Sequence, residues 1–190
     1  MTWFFTDKNY SYFAISTEKL DMSKIGLLSD THGWIHPDLF EFFKDVDEIW
    51  HAGDIGTMEV ADRLALFKPL KAVYGNIDGS NIRKSFSEVM EFRVEGIDVM
   101  MTHIGGSPGR YDFKVRELIK VRKPDIFVCG HSHIAKVARD PAFGFLYINP
   151  GAAGYHGFHK YMTAIRFMID GTKINDLEIV ELGERGKVVL

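Results

Sequence analysis

The feature that most constrains this chain is a repeated junction, in which a short apolar run long enough for one buried strand gives way at once to Asp, Asn or His. Residues 24–29 lead into Asp30-Thr31-His32, residues 47–52 into Gly53-Asp54, and residues 70–74 into Gly75-Asn76. Residues 97–102 lead into His103, and residues 125–129 into Gly130-His131-Ser132-His133. Short apolar runs bounded by turn residues read as buried strands. Between them, residues 37–44, 57–66 and 111–121 read as helices, with Thr57 as an N-cap. The third of these must stop before Lys123-Pro124, because the residue preceding a proline avoids the helical region. Strands alternating with helices imply parallel pairing and α/β layers. Sites in such sheets assemble at the carboxyl ends of the strands, so the five polar junctions are expected to converge on one edge.

Further strands are expected at residues 89–94 and 97–102, joined by a Glu95-Gly96 hairpin turn, and at residues 136–138, 145–149, 163–169 and 177–182. Together they predict a mixed sheet, or two sheets packed face to face, with helices outside. The length of 190 residues, 46% of them hydrophobic, fits one domain over residues 22–190 behind an N-terminal extension of residues 1–21. That extension holds Trp3, Phe4, Phe5, Tyr10, Tyr12 and Phe13 but lacks the basic start and continuous apolar core of an export signal. With Met22 just ahead of the first strand, the extension is either the product of an upstream start or an arm that, if translated, is expected to dock on its own chain or to bridge subunits of a homo-oligomer.

No apolar run is long enough to span a membrane. A net charge of −3 gives no basic excess for a nucleic-acid backbone, so an anionic ligand needs a local source of positive charge. Cys129 is the single cysteine; it excludes an intrachain disulfide and fits a reducing, cytoplasmic setting. It follows Phe127 and Val128 without an adjacent base, and no Gly-x-Ser-x-Gly elbow is present, so nothing points to a protein nucleophile.

Taken singly, each polar junction has a plain explanation as a cap or turn. Five of them in this order, each at a strand end, are improbable by chance. The set Asp30-Thr31-His32, Gly53-Asp54, Gly75-Asn76, His103 and Gly130-His131-Ser132-His133 resembles the calcineurin-like metallophosphoesterase superfamily, in particular its small bacterial and archaeal phosphodiesterases. The resemblance implies an α/β fold, a four-layer α/β/β/α sandwich with two mixed β-sheets. It implies one metal ion on Asp30, His32, Asp54 and His133 and another on Asp54, Asn76, His103 and His131, with Asp54 as the bridge and Asp54, Asn76 and His103 as catalytic residues. The activity implied is hydrolysis of a small phosphate ester, a phosphodiester above all, by in-line attack of a metal-bridging hydroxide. Imidazole, carboxylate and carboxamide donors without thiolate favour Mn, Fe, Zn, Co or Ni over an all-oxygen Ca or Mg pair, and Mn(II) is the first choice among them. The same fold also serves as a non-catalytic protein-binding scaffold where the metal site is damaged; here His32 and all the other ligand positions are of competent type.

Two blocks depart from the family pattern. Ile77 stands where many members place a leaving-group histidine, although Asp78 keeps the aspartate of the small phosphodiesterases and is expected to steady the Asn76 loop or a histidine ligand. Ile104 stands where glycine is common. Arg110 is a candidate for a substrate phosphate, His156 and His159 for the cleft rim, and His51 is expected to support the site rather than ligate. His36 has no functional context.

Overall fold

A computed structural model describes residues 22–158 and 160–186; the N-terminal extension, His159 and residues 187–190 lie outside the described residues. The elements run β1 (Ser23–Leu28), α1 (Asp38–Phe42), β2 (Glu48–His51), α2 (Met58–Phe67), β3 (Leu70–Ala72), α3 (Ser80–Ser85), β4 (Val89–Val94) and β5 (Ile97–Thr102). A short hairpin, β6 (Gly106–Ser107) and β7 (Arg110–Tyr111), precedes α4 (Phe113–Arg122). The chain finishes with β8 (Ile126–Val128), β9 (Ala135–Arg139), β10 (Leu146–Pro150), β11 (Tyr161–Asp170) and β12 (Lys173–Glu184).

The strands form two five-stranded sheets, ordered β12-β11-β1-β2-β3 and β4-β5-β8-β10-β9. Each has three parallel strands: β1-β2-β3, extended beyond β1 by antiparallel β11 and β12, and β5-β8-β10, flanked by antiparallel β4 and β9. Side-chain alternation divides each strand between two environments. Ile25 and Leu27 face the core between the sheets together with Trp50, Val99, Val128 and Ile148, while Leu28 packs outward beneath α1 and α2. On the second sheet Phe127 and Tyr147 turn outward beneath α4, where they meet Val115 and Ile119. Three apolar layers thus separate four structural ones, giving the α/β/β/α sandwich with two mixed sheets.

Local chemistry sets the helix ends. The Thr57 hydroxyl accepts from the Val60 amide, and the Asp112 carboxylate accepts from those of Lys114 and Val115, which starts α4 two residues later than expected. Lys123 adopts a left-handed conformation and ends α4 ahead of Pro124. The expected strand over residues 70–74 ends at Ala72, with Val73 reaching only an isolated bridge to Ser87. Helix α3 and the β6/β7 hairpin carry no periodic apolar signal and are absent from the sequence expectation. Cys129 is buried against the Tyr147 hydroxyl at 3.2 Å, and burial pushes its thiol up to about 12. No helix among the described residues is long and apolar enough to cross a membrane.

Candidate metal centre

All seven predicted positions meet at the carboxyl edges of the parallel strands. Asp30, His32, Asp54 and Asn76 come from loops of the first sheet, and His103, His131 and His133 from loops of the second. They fall into two groups: ligand atoms of Asp30, His32 and His133 lie within 4.8 Å of one another, as do those of Asp54, His103 and His131. Asp54 stands between them, with Oδ1 3.2 Å from His103 Nε2 and Oδ2 3.9 Å from His32 Nε2. Asn76 Oδ1 lies 3.1 Å from His103 Nε2, which adds a neutral oxygen to the second group.

Asp30 Oδ1 is the atom that most needs a partner. It is fully buried and has no hydrogen bond, although His133 Nε2 stands 3.0 Å away and the Nε2 atoms of His32 and His103 stand 3.9 Å away. A buried carboxylate oxygen without a hydrogen bond costs roughly 1–3 kcal/mol or more. A cation ringed by this oxygen and the imidazoles removes that cost, and the donor set fits a divalent metal ion.

The electrostatics suit the same role. Burial works to raise the Asp54 pKa, but the hydrogen bond and charge of His103, the Ile77 amide at 3.1 Å and His32 outweigh it and hold the carboxyl below its ordinary range. Burial lowers the His32 pKa against the pull of Asp30 and Asp54, leaving a neutral ring with a lone pair to offer. Burial also acts to lower His103, yet its hydrogen bond to Asp54 and the charges of Asp30 and Asp54 raise it. Its Nδ1 lies 2.8 Å from the Ala52 carbonyl; the N–H that this carbonyl requires leaves Nε2 unprotonated in the neutral ring, facing Asp54 and Asn76.

The backbone is bent to deliver these groups. Eight non-glycine residues among those described have positive φ, and five of them are Asp30, His32, Asp54, His131 and His133. Asp and His tolerate the left-handed region better than branched residues, but each such position still costs on the order of 1 kcal/mol. Tertiary hydrogen bonds hold the bends: the Asp30 amide donates to the Gly53 carbonyl, that of His32 to Asp54, and that of His131 to Asp30 Oδ2. The glycines of the motifs leave room for close approach. A Cβ at Gly75 would lie 2.0 Å from Asp54 Oδ1, and one at Gly130 would lie 2.0 Å from Ser29 Oγ.

Supporting residues surround the seven. The Asp78 carboxylate accepts from the amides of Gly75, Ile55 and Gly56, so it ties the Asn76 loop to the Asp54 loop, and its charge reaches buried His51. His51 is fully buried, with Nδ1 accepting from the Gly53 amide and Nε2 2.9 Å from Thr31 Oγ1; desolvation pushes its pKa down to about 4. Asn149 donates to the Gly130 carbonyl and Ser132 Oγ, fixing the second histidine loop. His156 stacks at the edge of His32, with ring centroids 6.2 Å apart, whereas Arg110 stays exposed on the β6/β7 hairpin and His36 packs against Trp34. Arg185, which sequence reasoning missed, places Nη1 3.0 Å from His133 Nδ1. It lies 52 residues beyond that histidine at the end of β12, and no motif marks it.

Comparison with known proteins places this geometry. The model of the calcineurin-like phosphoesterase superfamily domain matches residues 23–172. A probable metallophosphoesterase of Methanocaldococcus jannaschii is 31% identical over 134 residues, 67% of each chain. Another, from Methanothermobacter thermautotrophicus, is 28% identical over 165 residues, 84% of this chain and 92% of that one. Among solved structures, vacuolar protein sorting 29 from Cryptosporidium parvum has a TM-score of 0.67 at 17% identity, covering 84% of this chain and 97% of that one. A predicted phosphoesterase from Streptococcus pneumoniae has a TM-score of 0.63 at 19% identity, covering 85% and 90%. A zinc complex of the sorting protein from Entamoeba histolytica has a TM-score of 0.56 at 16% identity, covering 84% and 99%. The likeness reaches from the five junctions to the sheets that carry them, and the chain belongs to the calcineurin-like phosphoesterase superfamily.

Proposed function

We propose that this chain is a dinuclear metal-dependent phosphodiesterase that holds one ion with Asp30, His32, Asp54 and His133 and a second with Asp54, Asn76, His103 and His131. The observation that carries the proposal is the Asp54 carboxylate, one oxygen turned toward each of the two groups. Mn(II) is the first candidate, with Ni, Co, Fe and Zn as alternatives. Two bound ions would supply an activated water and neutralise charge on the phosphate oxygens.

The chain's own residues prepare that chemistry. Asp30 and Asp54 contribute about −2 against the +4 of two divalent ions, so the site attracts an anionic ester although the chain as a whole is acidic. The Ala52 carbonyl and Asp78 orient His103 and the Asn76 loop before any ligand arrives. Ile77 offers no proton to a departing oxygen. The Gly75-Asn76-Ile77-Asp78 sequence supports a diester over a monoester, through its resemblance to the small phosphodiesterases.

The test is a screen of metal-stripped protein reloaded with Mn, Ni, Co, Zn or Mg against aryl phosphodiesters, phosphomonoesters and cyclic nucleotides. Turnover that requires metal and is fastest on diesters is expected. A second reading, a scaffold that acts through protein contacts, draws on the likeness to vacuolar protein sorting 29 and predicts no turnover with any metal in that screen.

A further inference from the structure

Nine large apolar side chains are exposed among the described residues, and three of them directly follow a proposed ligand: Ile77 after Asn76, Ile104 after His103 and Ile134 after His133. Their exposures are 48%, 43% and 53%. Phe113 is more exposed still, and with Ile104 it lines a groove of about 540 Å³ that begins at Asn76 and His103. Exposed apolar residues scattered singly need no explanation, whereas a cluster around a polar centre marks a binding surface.

The groove's charged side chains sum to no net charge. Its cations are Arg83 and Lys114, and its anions are Glu88 and Asp112. Arg83 is committed, stacked on Tyr74 at 4.5 Å and donating to the carbonyls of Gly75, Asn76 and Asp78. Glu88 accepts from the Tyr74 hydroxyl, and Asp112 caps α4. A second phosphate or a nucleic-acid backbone would find no net positive field there.

We infer that Ile104 and Phe113 form a subsite for an apolar, uncharged alcohol group of the substrate, whose phosphate is anchored at the metal centre. The inference rests on the phosphoesterase reading and names its substrate class: an ester that is anionic at one end and apolar at the other. The apolar walls begin where the phosphate anchor ends, so a ligand spanning both gains from each.

The test titrates metal-loaded full-length protein with methyl-, butyl- and octylphosphonate by calorimetry. Affinity should rise roughly two- to fourfold per methylene until the groove is filled. Ile104→Ser and Phe113→Ser should each weaken octylphosphonate binding at least fivefold and methylphosphonate binding far less. Leu66→Ser, at an exposed site on α2, should change neither. Equal affinity for methyl- and octylphosphonate would overturn the subsite and leave the phosphoesterase reading standing, whereas failure of all three to bind would overturn both. Vesicles of phosphatidylcholine with phosphatidic acid separate two sources of such an ester. Co-sedimentation that Ile104→Ser abolishes assigns the subsite to a bilayer-borne phosphate, and octylphosphonate binding without co-sedimentation assigns it to a soluble one.

Discussion

The guanidinium of Arg185 stands 3.0 Å from Nδ1 of His133, while Nε2 of the same ring stands 3.0 Å from Asp30 Oδ1. A neutral ring that accepts at Nδ1 carries its proton on Nε2, the nitrogen that faces the other proposed ligands. Coordination through Nε2 needs the opposite tautomer, whose Nδ1–H would then face another donor. Arg185→Gln replaces that donor with a side chain that can accept, and should tighten metal binding at one of the two sites by about tenfold. Calorimetric titration of the metal-stripped proteins measures it; equal affinities would remove Arg185 from any part in tuning the site.

Asp54→Ala should reduce metal content from two ions per chain to none or nearly none, because it removes a ligand from both groups and leaves the two cations unshielded from each other. Elemental analysis of the purified variant decides it. Two ions retained would end the bridging role.

Asp78 serves three backbone amides, and its replacement by alanine leaves those donors without their acceptor. Asp78→Ala should lower stability by about 3 kcal/mol. Asp78→Asn, which keeps one acceptor oxygen, should lose less, retain both metals and show altered turnover. Urea unfolding and metal content distinguish these outcomes, and metal loss in Asp78→Asn without a change in stability would instead make Asp78 a ligand.

His51 is neutral in the fold, because burial takes its pKa from an ordinary 6.5 down to about 4. Between those values the unfolded chain binds the extra proton, so stability rises with pH across this window and falls as acid is added from about pH 6.5 to pH 4. The loss from this residue is on the order of 3 kcal/mol. Unfolding free energies measured at several pH values in that window should show a slope that His51→Gln reduces by about one proton.

With Ile77 in place of a proton donor, esters with acidic aryl leaving groups should be cleaved readily and alkyl esters slowly. General acid catalysis typically contributes about 10²- to 10⁴-fold, so its absence should appear as a steep dependence of kcat/KM on leaving-group pKa. A flat dependence over a series of substituted phenyl phosphodiesters, where chemistry limits the rate, would mean that another group supplies the proton.

The junctions were readable because apolar strand runs and the polar residues that end them are contiguous in the chain. Asp54 and His103 announce themselves that way, and so does the sandwich, through the alternation of inward Ile126 and Val128 with outward Phe127. The left-handed backbone of Asp30 and His32 was not readable, since it is imposed by hydrogen bonds to Gly53 and Asp54 from another strand. Arg185 was hidden for a similar reason: its meeting with His133 follows from where β12 ends beside the second histidine loop. Helix α3 is too short and polar for periodicity to register, and only its contacts, such as buried Ile82, hold it.

Four of the proposed ligands rise from one sheet and three from the other, so ions at this edge would act as a clasp across the seam of the sandwich. The apolar layer between the sheets would then be fastened at one end by coordination and elsewhere by packing and by hydrogen bonds such as that from the Gly96 amide to the Gly171 carbonyl. Chelation would unlatch that end, and the two sheets of the metal-free protein would hinge apart more readily, with the loops after β1 and β8 the first to loosen.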